Sequence, residues 1–396
     1  MITHFRTFLF LLSTAIVASV GSANAQTINE SKLGKGLQFV AADSSFSVKL
    51  GARFQVLYQG GYTPVTEQWE DRFVIRRARL KLEGFAYSPK LEYKIELGLS
   101  NNDIGGNMGS QNNNASNIVL DAVAKWEITP GLQLYVGQTK LPGNRERIIS
   151  SQKMQFVDRS LLNSRFTLDR DTGLQLHHEH QVGQVVLREI ASISTGDGRN
   201  ITVNHSGGYD YTGRFEILPM GAFEGEGDYV GSDIYREPTP KLALAAAYDL
   251  NDRASREQGQ LGDFLGAERD LNTLFLDAIF KYRGFSAMAE YAARRAPDGP
   301  VVLVNDAGEV EETFVTGDAF NIQAGYLFMN NWEVAGRYTN YEPTKVTGLT
   351  AENQYTLGVS KYIVGHALKV QSDLTRSEQR GLGEKYQFRV QLEIGF

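Results

Sequence analysis

The chain has 396 residues, with 40 Lys and Arg against 46 Asp and Glu, a net charge of −6. A mildly acidic chain without a basic tail excludes nucleic acid as a partner. Cysteine is absent, which removes disulfide staples, thiolate metal sites and thiol catalysis together.

The chain opens with a short basic start ending at Arg6, an apolar run from Phe8 to Val20, and the triplet Ala23-Asn24-Ala25 before Gln26. This reads as a secretory signal peptide, residues 1–25, because the apolar run is too short to span a bilayer comfortably. Its removal takes away one Arg and no acid, so −6 becomes −7. Residues 26–43 read as a periplasmic lead-in, and no linker divides 44–396, which is read as one domain.

From Phe46 the chain alternates: Phe46, Val48, Leu50, Ala52, Phe54, Val56 and Tyr58 on one face, Ser47, Lys49, Gly51, Arg53 and Gln55 on the other. The last segment does the same, with Tyr386, Phe388, Val390, Leu392, Ile394 and Phe396 against Gln387, Arg389, Gln391 and Glu393. Two-residue alternation gives a strand one apolar and one polar face. Rougher versions recur near 72–88, 91–99, 118–128, 132–140, 171–180, 184–195, 209–218, 241–249, 270–283, 285–295, 318–329, 331–341, 352–363 and 366–376, for about 16 strands. Tight links such as Ser88-Pro89-Lys90, Thr129-Pro130-Gly131, Arg283-Gly284 and Asn330-Asn331 alternate with long ones at 100–117, 141–170, 196–208, 250–269 and 296–317. Only 219–240 is long where a short turn is due.

Short turns at one rim and long loops at the other suit an all-β, transmembrane antiparallel β-barrel in the bacterial outer membrane, polar within and apolar without. A soluble sandwich also alternates. Strand number and the aromatics Tyr58, Tyr93, Trp126, Tyr209, Tyr211, Tyr291, Trp332 and Tyr338, suited to interfacial girdles, favour the barrel. The terminal Phe396 resembles the C-terminal signal by which barrel assembly machinery recognises its clients. Water inside the barrel implies passive diffusion of small hydrophilic solutes. A non-conducting structural or adhesion barrel is the reading from a different class.

In the second strand Arg77, Arg79, Lys81 and Glu83 share a face that cannot meet lipid, so these cations are expected to line the pore. Phe73, Ile75, Phe85 and Tyr87 fall on the same phase, which requires a bulge near one strand end or aromatic packing against an inward loop. The 141–170 connector carries Arg145, Arg147, Lys153, Arg159, Arg165 and Arg170 among the apolar Ile148, Ile149, Met154, Phe156, Leu161, Leu162 and Phe166. That mixture suits a packed constriction with an anion-binding surface, or alternatively a surface lid. Lys49, Arg53, Lys94, Arg214, Arg337, Lys369 and Arg389 are further inward-facing cations, and Arg53 joins the candidates. The competing reading pairs these cations with acids such as Glu83, Glu92 and Glu96 in a general, non-selective wall. The 296–318 loop holds Asp298, Asp306, Glu309, Glu311, Glu312 and Asp318 without a basic residue, a charge that opposes anion entry.

His177-His178-Glu179-His180 puts His178 and His180 on one face, but no third ligand stands at a meaningful spacing, so no metal site is assigned. Ser150-Ser151-Gln152-Lys153 matches S-x-x-K without its companion motifs, and no phosphate-cradling Gly-rich loop occurs. No enzyme activity and no cofactor are expected.

Phe73-Val74-Ile75-Arg76-Arg77-Ala78-Arg79-Leu80-Lys81-Leu82-Glu83-Gly84 resembles the phosphate-selective porin O and P family. So do Gly34-Lys35-Gly36-Leu37-Gln38-Phe39, Ser88-Pro89-Lys90-Leu91, Phe156-Val157-Asp158-Arg159-Ser160 and Arg170-Asp171-Thr172-Gly173. The resemblance implies a 16-stranded barrel, a homotrimer, an inward-folded third loop and a basic lumen favouring small anions such as phosphate. Outer-membrane lipid and lipopolysaccharide are the surroundings it implies.

Overall fold

The structure is a computed structural model, described for residues 32–104, 117–202 and 208–396. The expected signal peptide lies outside the described residues. From the lead-in, β1 (Leu37–Val40) pairs antiparallel with the start of β2, Leu37 opposite Leu50 and Val40 opposite Ser47.

Sixteen strands follow one another around a closed sheet: β2 (Ser47–Thr63), β3 (Gln68–Ala86), β4 (Ser88–Gly98), β5 (Val119–Thr129), β6 (Leu132–Lys140), β7 (Arg170–Val182), β8 (Val185–Ser194), β9 (Asp210–Leu218), β10 (Lys241–Arg256), β11 (Phe264–Tyr282) and β12 (Phe285–Arg295), then β15 (Gly317–Leu327), β16 (Trp332–Pro343), β17 (Glu352–Val364), β18 (Leu368–Gln379) and β19 (Gly383–Gly395). The small hairpin β13 (Val301–Val304) and β14 (Val310–Thr313) stands apart in the connector after β12. Each barrel strand is antiparallel to its neighbours, and β19 returns to β2, Ile394 opposite Phe54. Closure leaves no sheet edge, so backbone donors and acceptors of the strands are satisfied without water, as hydrocarbon demands.

The burial pattern is that of a soluble protein turned inside out. On β9, Tyr211 and Phe215 are each 46 % exposed, while Asp210, Thr212, Arg214 and Glu216 are buried. On β7, Leu174 and Leu176 are exposed while Gln175 is buried. An outward apolar face and an inward polar face need lipid outside and water or polar protein inside. Trp126, Tyr209, Tyr211 and Trp332 are among the exposed aromatics, as interfacial girdles require.

Two expected loops are mostly strand. The 59–71 link shrinks to 64–67 because β2 and β3 continue as one long hairpin, Thr63 opposite Gln68. The 250–269 link shrinks to 257–263, with β10 and β11 paired through two register shifts at Ala254. Beyond the membrane both faces of a hairpin meet water, so alternation relaxes and the strands become hard to read. Of the two expected remedies in β3, the bulge is present: Gln55 faces Arg77 but Val56 faces Ile75, leaving Arg76 as the extra residue. That insertion switches the phase, so Phe73 and Ile75 are exposed and Arg77 is buried. Arg283 and Gly284 both take positive φ, 47° and 90°, and make the tight β11–β12 turn.

Candidate functional site

The 141–169 connector is buried over most of its length and bonds to inward-facing side chains all around the sheet. Arg145 Nε reaches Asp277 Oδ1 on β11 at 2.6 Å, and Ser151 Oγ accepts from Arg53 on β2 at 2.7 Å. Gln155 donates to Glu333 on β16 at 2.8 Å, and the Val157 amide donates to Asp373 on β18 at 3.2 Å. The Leu161–Phe166 helix starts at Ser160, whose hydroxyl accepts from the Asn163 amide at 3.2 Å, satisfying one of the donors a helix start leaves open. Leu141, Leu161, Leu162, Phe166 and Leu168 form an apolar cluster with Ala247, Phe275, Ala292, Ala319 and Tyr341. These inward-facing apolar residues of the barrel wall are shielded by the connector.

The long 219–240 connector, at the rim of short turns, is buried in its middle, at Gly227, Asp228 and 230–233, and mostly exposed on either side. Ile149 and Met154 cluster with its Phe223, alongside Val186, Leu218, Ala243, Ile279 and Met288. Its Gly231 amide donates to the Lys153 carbonyl at 2.8 Å, joining the two connectors. Lys281 of β11 donates to its Val230 and Ser232 carbonyls at 2.8 and 2.7 Å. Asp233 accepts from the Gly284 amide at 2.6 Å. The unexpected length therefore has a packing reason: the segment is tied to the inward face of β8 to β12 and to the other connector.

Two groups of arginines result. In the first, Arg145 and Arg214 share Asp277 and Glu216, and Arg188 holds Glu216 and Asp228. The side chains of Arg145 and Arg214 are fully buried. In the second, a cavity of about 340 Å³ is lined by Arg76, Arg77, Arg147, Arg159, Arg337 and Arg389 with Asp158 as its one lining carboxylate. Asp158 Oδ1 meets Arg76 and Arg77 at 3.0 and 2.9 Å, and Oδ2 meets Arg389 at 3.6 Å. Arg147 pairs with Asp169, and Arg389 also pairs with Asp373 at 2.6 Å. Arg159 donates to the Glu146 and Ile149 carbonyls, 2.8 Å each, and among the described residues no carboxylate comes within 4.0 Å of it. Burial, reinforced by Arg77, brings the Arg159 guanidinium down to about 9. Burial and the neighbouring Arg159 push Arg147 well down too. Against the penalty of its burial, Arg76 and Arg77 hold the Asp158 carboxyl below the usual range. Arg337 meets Glu146 at 3.6 Å, so Arg159 alone of the six has no ion pair among the described residues, and guanidinium forks match the oxygens of a tetrahedral anion.

A second cavity, about 250 Å³, lies beside Gly34, Gly36 and Phe396 and is lined by Lys35, Lys49, Arg53, Arg79, Lys81, Lys94 and Lys153 with Glu83 and Glu96. Here too most of the cations are paired. Arg53 meets Glu393 at 3.2 Å, Arg79 meets Glu96 and Asp103 at 2.9 and 2.7 Å, and Lys81 meets Glu83 at 2.9 Å.

Of the candidate pore residues, Arg77, Arg147 and Arg159 line the first cavity, and Arg53, Arg79, Lys81 and Lys153 the second. Arg145 is shut away among acids. Arg165 lines neither cavity, resting over the Tyr341 ring at 5.2 Å and 3.7 Å from Glu352. Phe396 is exposed, and its amide donates to the Ala52 carbonyl at 2.8 Å. Arg76 and Asp158 went unassigned. The Arg76-Arg77 doublet inside a strand was the signal, since in strict alternation one of the two would face lipid.

Comparison with known proteins agrees with this architecture. No curated protein sequence matches the chain. An anion-selective porin from Comamonas acidovorans superposes with a TM-score of 0.53 at 13 % identity, covering 89 % of this chain and 100 % of that one. Salmonella typhi OmpF, in complex with daunomycin, gives 0.57 at 14 %, covering 89 % and 99 %. OmpT of Vibrio cholerae, an outer membrane protein solved in a trimer form, gives 0.52 at 9 %, covering 89 % and 100 %. At such identities the likeness concerns the fold. The model of the phosphate-selective porin O and P family matches residues 48–381, and with the closed 16-stranded barrel this makes the chain an outer-membrane porin belonging to that family.

Proposed function

We propose that this porin passes small hydrophilic anions, phosphate-like oxyanions among them, in preference to cations. The observation that carries this reading is the first cavity, where six arginines face one lining carboxylate. An ion entering there meets six guanidinium groups, and a fixed basic wall lowers the barrier for anions while raising it for cations. In this reading the 141–169 connector lies inside the barrel as its constriction. Its bonds to β2, β11, β16 and β18 support that position. The 219–240 connector narrows the lumen from the opposite rim along β8 to β12, leaving the water path to the side of β2 to β4 and β16 to β19. The basic second cavity continues that path toward the short-turn rim.

Residues 1–25 act as the export signal, and 26–43 lead into the barrel from the periplasm. The protein assembles as a homotrimer, a reading supported by the Vibrio relative solved in a trimer form. Folding through the barrel assembly machinery rests on Phe396.

Single-channel recording in planar bilayers tests the assignment. A potassium chloride gradient should give a reversal potential of the anion-selective sign, and added phosphate should reduce the chloride current. A cation-selective reversal potential would make this a general porin, and an absence of conductance would make it a plugged barrel.

A further inference from the structure

Two histidines set aside for want of a third ligand acquire one from the fold. His178 and His180 lie on β7, two residues apart, on the same outward face as Leu174 and Leu176. Antiparallel pairing with β8 sets Glu189 directly opposite His178, also facing outward. Chain spacing gives no hint of this, because the contact depends on the register of the hairpin closed at Gly183 and Gln184.

The three side chains converge. Nδ1 of His178 lies 2.9 Å from Glu189 Oε2, and Nδ1 of His180 lies 3.6 Å from the same oxygen. One ligand atom from each residue falls within 4.8 Å of the others. The two rings stack at 4.9 Å with a 24° interplanar angle, which fixes both nitrogens on one side. A tetrahedral ion with bonds of about 2.0–2.2 Å separates its ligands by roughly 3.3–3.6 Å, so small side-chain rotations close this set. An independent observation points the same way: His180 Nδ1 is shut off from solvent and has no hydrogen-bond partner. A nitrogen lone pair so placed is satisfied by a metal.

We propose that His178, His180 and Glu189 form a site for a divalent transition ion of the zinc class on the outer face, close to the short-turn rim. Two imidazoles and one carboxylate leave a fourth position for water or another ligand. Nitrogen donors select zinc, nickel or copper over magnesium and calcium, which take oxygen. Because the ligands come from both strands of one hairpin, a bound ion would pin β7 to β8 near their turn.

Calorimetric titration of zinc chloride into untagged, detergent-purified protein tests the site. The expected result is one zinc per chain, no binding of magnesium, and at least about tenfold weaker binding in H178A and in H180A, by the scale on which metal-site partners act. Heat-modifiable gel migration verifies that each variant is folded. Should either variant fail that check, zinc-edge X-ray absorption of the wild type decides: two imidazole nitrogens in the shell support the site, and an all-oxygen shell overturns it. Zinc binding unchanged in the H178A/H180A double variant, or absent from the wild type, also overturns it.

Discussion

Two sets of arginines on the inward side of this barrel differ in what neutralises them. Arg145, Arg188 and Arg214 are closed by Asp277, Glu216 and Asp228, so their charges are spent in holding the two connectors to β8, β9 and β11. Arg76, Arg77, Arg147, Arg159, Arg337 and Arg389 face open volume around Asp158. The residue type is the same in both, yet one set is closed inside the fold and the other lines a cavity. What separates them is the number of carboxylates within reach: the first set has an acid for every base, and the second leaves Arg159 on main-chain carbonyls alone.

The comparison breaks first, and most visibly, at the open set. Two unit charges about 5 Å apart in water interact by about 0.8 kcal/mol, which is roughly fourfold in local ion occupancy. R77A/R159A removes two such charges and should therefore lower the ratio of anion to cation permeability by at least about tenfold, read from the reversal potential in a salt gradient. R145A, which removes a single charge from the closed set, should leave that potential where it was. If both variants shift it alike, the distinction between the two sets is lost.

Much of this architecture was legible beforehand, and the reasons for the gaps are specific. Alternation on β2 and β19 survives because hydrocarbon and polar interior impose opposite demands on successive residues. Along β10 beyond Asn251 two register shifts at Ala254 break the alternation, so that in sequence the hairpin reads as a loop. The ladder in β3 is readable since arginine cannot face lipid, and the same argument leaves a bulge as one of two remedies, the one found at Arg76. Whether a given arginine is free was not readable, because Asp277 and Glu216 lie 132 and 71 residues from Arg145. Pairing of that kind is fixed by where the connector folds. The same blindness hid Glu189 from His178.

The closed set should respond in stability. Asp277 bridges Arg145 and Arg214, so D277A leaves two guanidinium groups sharing Glu216. Removing one partner of a buried ion pair typically costs about 3–5 kcal/mol, and the folded barrel should lose stability on that scale in urea titrations followed by heat-modifiable migration. Conductance should rise as the 141–169 connector loosens, while the sign of ion preference stays the same. An unfolding midpoint equal to that of the wild type would mean that these buried pairs contribute no net stability.

Arg165 supplies the smallest effect and the sharpest control. It belongs by sequence to the same basic run as Arg147 and Arg159, but its guanidinium rests on the Tyr341 ring and reaches Glu352 only at 3.7 Å, with about a third of the side chain exposed. A partly exposed pair of this length, with one ring contact, is worth about 1 kcal/mol or less. Its charge is also already balanced by Glu352 away from the open cavity. R165A should thus change neither the reversal potential nor phosphate block, and should move the urea midpoint far less than D277A does. A selectivity loss in R165A as large as that in R77A/R159A would show that ions sense the summed charge of the whole connector, and that local pairing does not decide which arginines a solute meets.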